Sequence, residues 1–98
     1  MSVTATSNNE NKTLTINIDG QFDFSAHPSF RNSYQNIDPS FNVIVNLGNT
    51  EYVDSAALGM LLLLDEHFTN TKIKIINTNE LTRQVLGIAH FEKKFDIS

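Results

Sequence analysis

The chain has 98 residues, 40% of them hydrophobic and 18% charged, with a formal net charge of −4. That suits one globular domain, residues 1–98, with little room for a second. The negative balance argues against general binding to nucleic-acid phosphate, and the lack of cysteine excludes a disulfide framework or a thiolate metal site. The first residues have neither the basic nor the apolar region of a signal peptide, and the longest apolar run is about half of what a bilayer requires. A small soluble cytoplasmic domain is the expectation.

Thr13 to Ile18 alternates strictly, which sets Leu14, Ile16 and Ile18 on one face of a half-buried strand. Val3 to Ser7 is its expected partner across a turn at Asn8 to Asn11, and Asp19-Gly20 is expected to break it. Gln21 to Ala26 reads as a loop carrying Phe22 and Phe24 around Asp23. Ser25 is placed to cap a helix whose first turn takes Pro28, where a missing N–H costs nothing. Phe30, Tyr34 and Ile37 share one face of that helix, and Asp38-Pro39 ends it.

Val43, Ile44 and Val45 form a β-branched run that predicts a strand buried on both faces. A polar turn follows, and Asp54-Ser55 opens a helix from about Ser55 to Phe68, with Asn70 as its stop signal. Leu61 to Leu64 is apolar all round, which predicts burial on more than one side. Lys72 to Ile76 is a strand with its lysines toward solvent near a sheet edge. Strand, helix and strand make a βαβ unit, so the two strands should run parallel with a right-handed crossover. Thr78 or Asn79 caps a third helix with Leu81, Val85 and Ile88 on one face, and Phe91, Phe95 and Ile97 pack the tail down. The product is an α/β fold, a mixed β-sheet of four to five strands with three or more helices packed mainly on one face.

Little catalytic chemistry is present. His27, His67 and His90 sit in separate segments without metal-ligand spacing. Ser55 lacks the Gly-x-Ser-x-Gly setting of a hydrolase nucleophile, and neither common Gly-rich phosphate loop occurs. Glu51 and Asp54 read as solvated loop carboxylates. Two readings of Ser55 remain. Asp and Ser are the preferred N-cap residues of any helix, because their oxygens accept from its unpaired first N–H groups. A serine there is also well sited to carry a phosphate, since the helix dipole is positive at that end. Gly59 likewise has two readings. It permits close packing of the helix, or it leaves with Ala56 and Ala57 a low-relief surface on which another protein can sit.

At Tyr52-Val-Asp-Ser-Ala-Ala-Leu-Gly-Met60, preceded by Val43-Ile-Val-Asn-Leu, the chain resembles the STAS domain family, in its anti-sigma factor antagonist type. Ile18-Asp-Gly-Gln-Phe-Asp-Phe24 is similar to the family's early Gly-x-hydrophobic-Asp segment, and Val85-Leu-Gly-Ile-Ala89 with Phe95 to its closing helix. The resemblance implies a STAS-like sheet and a non-catalytic bacterial partner-switching protein of signal transduction and transcription regulation. It makes Ser55 the phosphoacceptor of a serine kinase, an anti-sigma factor with a histidine-kinase-like ATPase fold, and makes a PP2C-type phosphatase the reversing partner. Asp23, Phe24, Tyr52, Asp54, Ala56, Ala57, Leu58 and Gly59 become the partner-binding residues, with no cofactor, metal, nucleic acid or membrane insertion. Asn46-Leu-Gly48 stands where Asp-Leu-Ser is usual, and Ala56 and Ala57 replace the second serine and the glycine after it. The competing class is a constitutive STAS adaptor subunit of a transporter or other complex; a small-ligand sensor is a third.

Overall fold

The computed structural model describes residues 2–68 and 72–98. In chain order it contains β1 (Ser2–Asn8), β2 (Thr13–Phe22), a 3-10 turn (Phe24–Ala26), α1 (His27–Tyr34), β3 (Asn42–Asn46), β4 (Thr50–Val53) and α2 (Ser55–His67). Then come β5 (Ile73–Ile76), α3 (Glu80–Ile88), a second 3-10 turn (Phe91–Lys93) and β6 (Phe95–Ile97). The sheet runs β1-β2-β3-β5-β6, with β4 joined to β2 outside that path. β1 is antiparallel to β2 and every other pair is parallel. The expected mixed sheet is present, with six strands among the described residues rather than four or five.

The additional strand β4 exists because β2 does not stop at Asp19-Gly20. Gly20 takes a positive φ of 89°, which costs glycine little, and the register shifts between Gly20 and Gln21. β2 therefore continues to Phe22, and the extra residue at the register shift is Glu51 of β4, between the partners of Gly20 and Gln21. Thr13 to Asn17 pair with β3, and Gly20 to Phe22 with β4. Gly20 N–H meanwhile donates to Asn49 O at 2.9 Å.

The alternation of β2 is realised, with Leu14, Ile16 and Ile18 buried on the face shared with Val43, Val45, Ile73 and Ile75. The opposite face holds Thr13, Thr15, Asn17 and Ile44, all half-buried. β3 is thus covered on one face only, contrary to the expectation from its β-branched run. β5 lies between β3 and β6 rather than at an edge, and Lys74 still faces solvent from the open side.

Each helix differs from its sequence reading. Ser25 does not cap α1. Its N–H and hydroxyl both donate to the carboxylate of Asp23 inside the 3-10 turn, and Ala26 precedes α1 with no side-chain cap. α1 ends at Tyr34, before Asp38-Pro39, and Ile37 packs on the core from beyond the helix. α2 buries Ala57, Met60, Leu61 and Leu64 at helical spacing and leaves Leu62 and Leu63 exposed. The helix meets α1 as well as the core, through Tyr34 against His67, and Leu62 and Leu63 stay open because no further layer among the described residues packs over its outer side. Asn70, the expected stop of α2, lies outside the described residues. In α3, Asn79 is the cap, its side-chain oxygen accepting from Thr82 N–H at 2.7 Å. That phase turns Thr82 and Leu86 inward and leaves Leu81 57% and Ile88 81% exposed, so the expected Leu81, Val85, Ile88 stripe faces mostly outward. The tail packs down as expected: Phe91 stacks on Phe95 at 5.3 Å, and the N–H and hydroxyl of Thr78 both donate to Ser98 O.

Candidate functional site

Where the parallel strands β2 and β4 finish, Phe22 pairs with Val53. The next residue of each strand is an aspartate. Asp23 and Asp54 therefore leave the sheet side by side, and Asp54 N–H donates to Phe22 O at 3.2 Å. Each carboxylate turns back onto its own chain: Asp23 onto Ser25, and Asp54 Oδ1 onto Ala57 N–H at 3.0 Å. The N-cap of α2 is thus Asp54. Ser55 occupies the first helical position, is exposed, and its hydroxyl makes no hydrogen bond among the described residues. The cap role and the free hydroxyl belong to two neighbouring residues.

Gly59 stands one turn beyond Ser55 on the same helical face. A Cβ added there would meet nothing within 4 Å, so close packing does not explain the glycine. What remains is the low-relief reading, and the outward strip Ser55, Gly59, Leu62 and Glu66 continues it down the helix. Leu62 is not distinguished by type from the core leucines beside it; its spacing from Ser55 and Gly59 is the available signal.

Of the residues expected to meet a partner, Asp23, Phe24, Tyr52, Asp54, Ala56 and Gly59 reach the surface at this end. Phe24 is 71% exposed and stacks on His27 with ring centroids 5.7 Å apart. Leu58 is half-buried, and Ala57 is fully in the core, where it can touch no partner. It faces inward because it sits one turn before Leu61 on the buried stripe. Charge is also unevenly placed. Asp23, Glu51, Asp54 and Glu80 gather where the parallel strands end, whereas every lysine (Lys12, Lys72, Lys74, Lys93, Lys94) lies at or near the start of a strand. Among the described residues, no group of three or more His, Asp or Glu side chains could hold a metal ion, and no helix is long and apolar enough to cross a membrane.

The STAS domain model matches residues 3–98 of this chain. The chain belongs to the STAS domain family. The STAS-domain containing protein PA14_20770 of Pseudomonas aeruginosa (strain UCBPP-PA14) is 43% identical over 102 residues, covering 100% of both chains. Among solved structures, an anti-sigma factor antagonist from Mycobacterium paratuberculosis superposes with a TM-score of 0.80 at 17% identity, over 98% of this chain and 85% of that one. The anti-sigma factor antagonist SpoIIAA in its unphosphorylated form gives 0.74 at 16% identity, over 99% and 87%. These two share the fold.

Within the STAS pattern, the departures at Asn46 and Gly48 are coupled by geometry. Asn46 donates from its amide nitrogen to Asn17 Oδ1 at 3.0 Å. Its oxygen accepts from Gly48 N–H at 2.9 Å and from the side-chain amide of Asn77 at 3.1 Å. An ionised aspartate could do the second but not the first, having no donor. A Cβ on Gly48 would lie 3.1 Å from Asn46 Oδ1 and 3.4 Å from Asn77 Cβ. The Asn17–Asn46–Asn77 ladder across β2, β3 and the end of β5 thus suits an amide at 46 and a glycine at 48. Nothing local in the sequence links Asn17 and Asn77 to Asn46.

Proposed function

We propose that this STAS domain is a partner-switching regulator of the anti-sigma factor antagonist type, controlled by reversible phosphorylation of Ser55. The observation that carries the reading is the free, exposed hydroxyl of Ser55 beside a helix N-terminus that Asp54 already caps. A phosphate there gains about 0.3–1 kcal/mol from the helix dipole and adds roughly −1.5 to −2 charges. It arrives next to Asp54, Asp23 and Glu51, so its main effect is repulsion and desolvation cost at an interface. The domain itself has no reason to refold.

The partner in this reading is a serine kinase of anti-sigma type with a histidine-kinase-like ATPase fold, and a PP2C-type phosphatase resets the switch. Asp23, Phe24, Tyr52, Asp54, Ala56, Leu58 and Gly59 form the docking surface, to which a cationic partner patch is the complement. The chain acts as the kinase's substrate and ligand, not as a catalyst. Incubation with the cognate kinase and ATP should raise the intact mass of the wild type by one phosphate and leave Ser55→Ala unchanged. Equal labelling of both would overturn the assignment. A constitutive adaptor is the second reading, supported by the exposed Leu62, Leu63, Leu81 and Ile88, whose contacts need no phosphate. A partner retained equally by wild type, Ser55→Ala and Ser55→Asp would favour it.

A further inference from the structure

We propose that β1 is a self-association edge, through which two copies of the chain join antiparallel into one continuous sheet. β1 ends the sheet order, so alternate residues along it turn their N–H and C=O groups away from any strand partner among the described residues. Exposed edges are usually blunted by short length, charge, proline or a bulge. β1 has none of these devices. Its seven residues, Ser-Val-Thr-Ala-Thr-Ser-Asn, are uncharged and pair with β2 without interruption from Ser2↔Asp19 to Asn8↔Thr13. The opposite edge, β6, is guarded in the usual way, with three residues and a charged one, Asp96, at its centre. α1 lies against β1 but leaves most of the strand open. Val3 is half-buried, but Ala5 and Ser7, on the same side of the strand, are exposed.

The strand itself identifies its occupant as a second copy. Antiparallel pairing about Ala5 uses all seven residues, setting Ser2 against Asn8, Val3 against Ser7 and Thr4 against Thr6 of the other copy. Opposed threonines are a favourable cross-strand pair. Thr6 already faces Thr15 and Thr4 already faces Asn17, so the polar rows of the open face run on unbroken across the junction. No charged side chain is brought opposite itself. Asp19 flanks Ser2 at one end of β1, and the turn at the other end holds Glu10 and Lys12, one of each sign.

Sedimentation velocity over a dilution series tests the proposal on the full chain. Wild type should pass from dimer to monomer on dilution, whereas Ala5→Lys, which sets two ammonium groups face to face, should stay monomeric throughout. Mixing Ala5→Lys with Ala5→Glu should restore a dimer. Amide hydrogen exchange supplies a readout on wild type alone: alternate residues of β1 should gain protection as concentration rises. A wild type that is monomeric at all concentrations, or a dimer that survives Ala5→Lys with β1 exchange unchanged, would overturn the proposal.

Discussion

The carboxylate of Asp54 holds the N–H of Ala57 at 3.0 Å, and in doing so releases its neighbour Ser55 from any duty to the helix. This division of labour makes stability and switching separable by mutation. Asp54→Ala should cost about 0.5–2 kcal/mol, the usual value of an N-cap, and lower the melting temperature by about 4–8 °C per kcal/mol. Ser55→Ala should remain within about 0.5 kcal/mol of wild type. Thermal melts of both variants decide between this assignment and a capping role for Ser55.

Ser55→Asp places one negative charge among Asp23, Glu51 and Asp54. Affinity for a phosphorylating partner should fall at least tenfold, about 1.4 kcal/mol, with the melting temperature nearly unchanged. Calorimetric titration and a thermal melt of the same sample measure both.

Asn46→Asp removes the donor to Asn17 while keeping the acceptor for Gly48 N–H. A loss of about 1 kcal/mol is expected, read as a lower urea midpoint. Asn17→Asp should cost less than Asn46→Asp, because it preserves the acceptor and leaves Asn46 Nδ2 paired.

Two buried threonines should respond oppositely to valine. Thr50 donates its hydroxyl to Ile18 O at 2.7 Å, so Thr50→Val should destabilise by about 1 kcal/mol. The hydroxyl of Thr82 is buried with no partner among the described residues, so Thr82→Val should be neutral or stabilising. Urea unfolding of the two variants side by side checks the sign.

Tyr34 offers a pH test. Burial raises its phenol above the ordinary value of 10.0, against the lowering field of Arg31. The unfolded chain therefore loses that proton first as pH rises. The stability conferred by a neutral buried phenol is complete below about pH 10 and declines above it. Tyr34→Phe should flatten the alkaline limb of a stability–pH curve relative to wild type.

How far the sequence carried depended on whether a signal was local. The period-2 run of Leu14, Ile16 and Ile18, the β-branched Val43 to Val45 and the Asp54-Ser55 helix start each announce their own element, and the strand–helix–strand order does the rest. The misreadings concern layers and partners. Ile44, Leu62 and Leu63 are as apolar as any core residue, yet whether a second layer covers them is set by the remainder of the chain. Gly20 reads as a strand terminator because its place is visible only through the two strands that β2 serves, β3 before it and β4 from it onward. Leu81 and Ile88 sit at helical spacing, but Asn79 sets the phase that turns them outward. At the site, the family motif points to Ser55. Which of Asp54 and Ser55 caps the helix is a one-residue offset that propensity cannot resolve.

The Ser55 end holds carboxylates and no lysine, whereas at the other end the lysines lie among carboxylates such as Asp65, Glu66 and Glu92. The unbalanced negative charge therefore sits at the Ser55 end and gives the molecule a permanent electric axis. In the field of a cationic partner such a body turns before it touches, presenting Ser55 first. Capture should therefore quicken at low ionic strength and slow steeply as salt shortens the reach of that field, with escape from the complex changing far less.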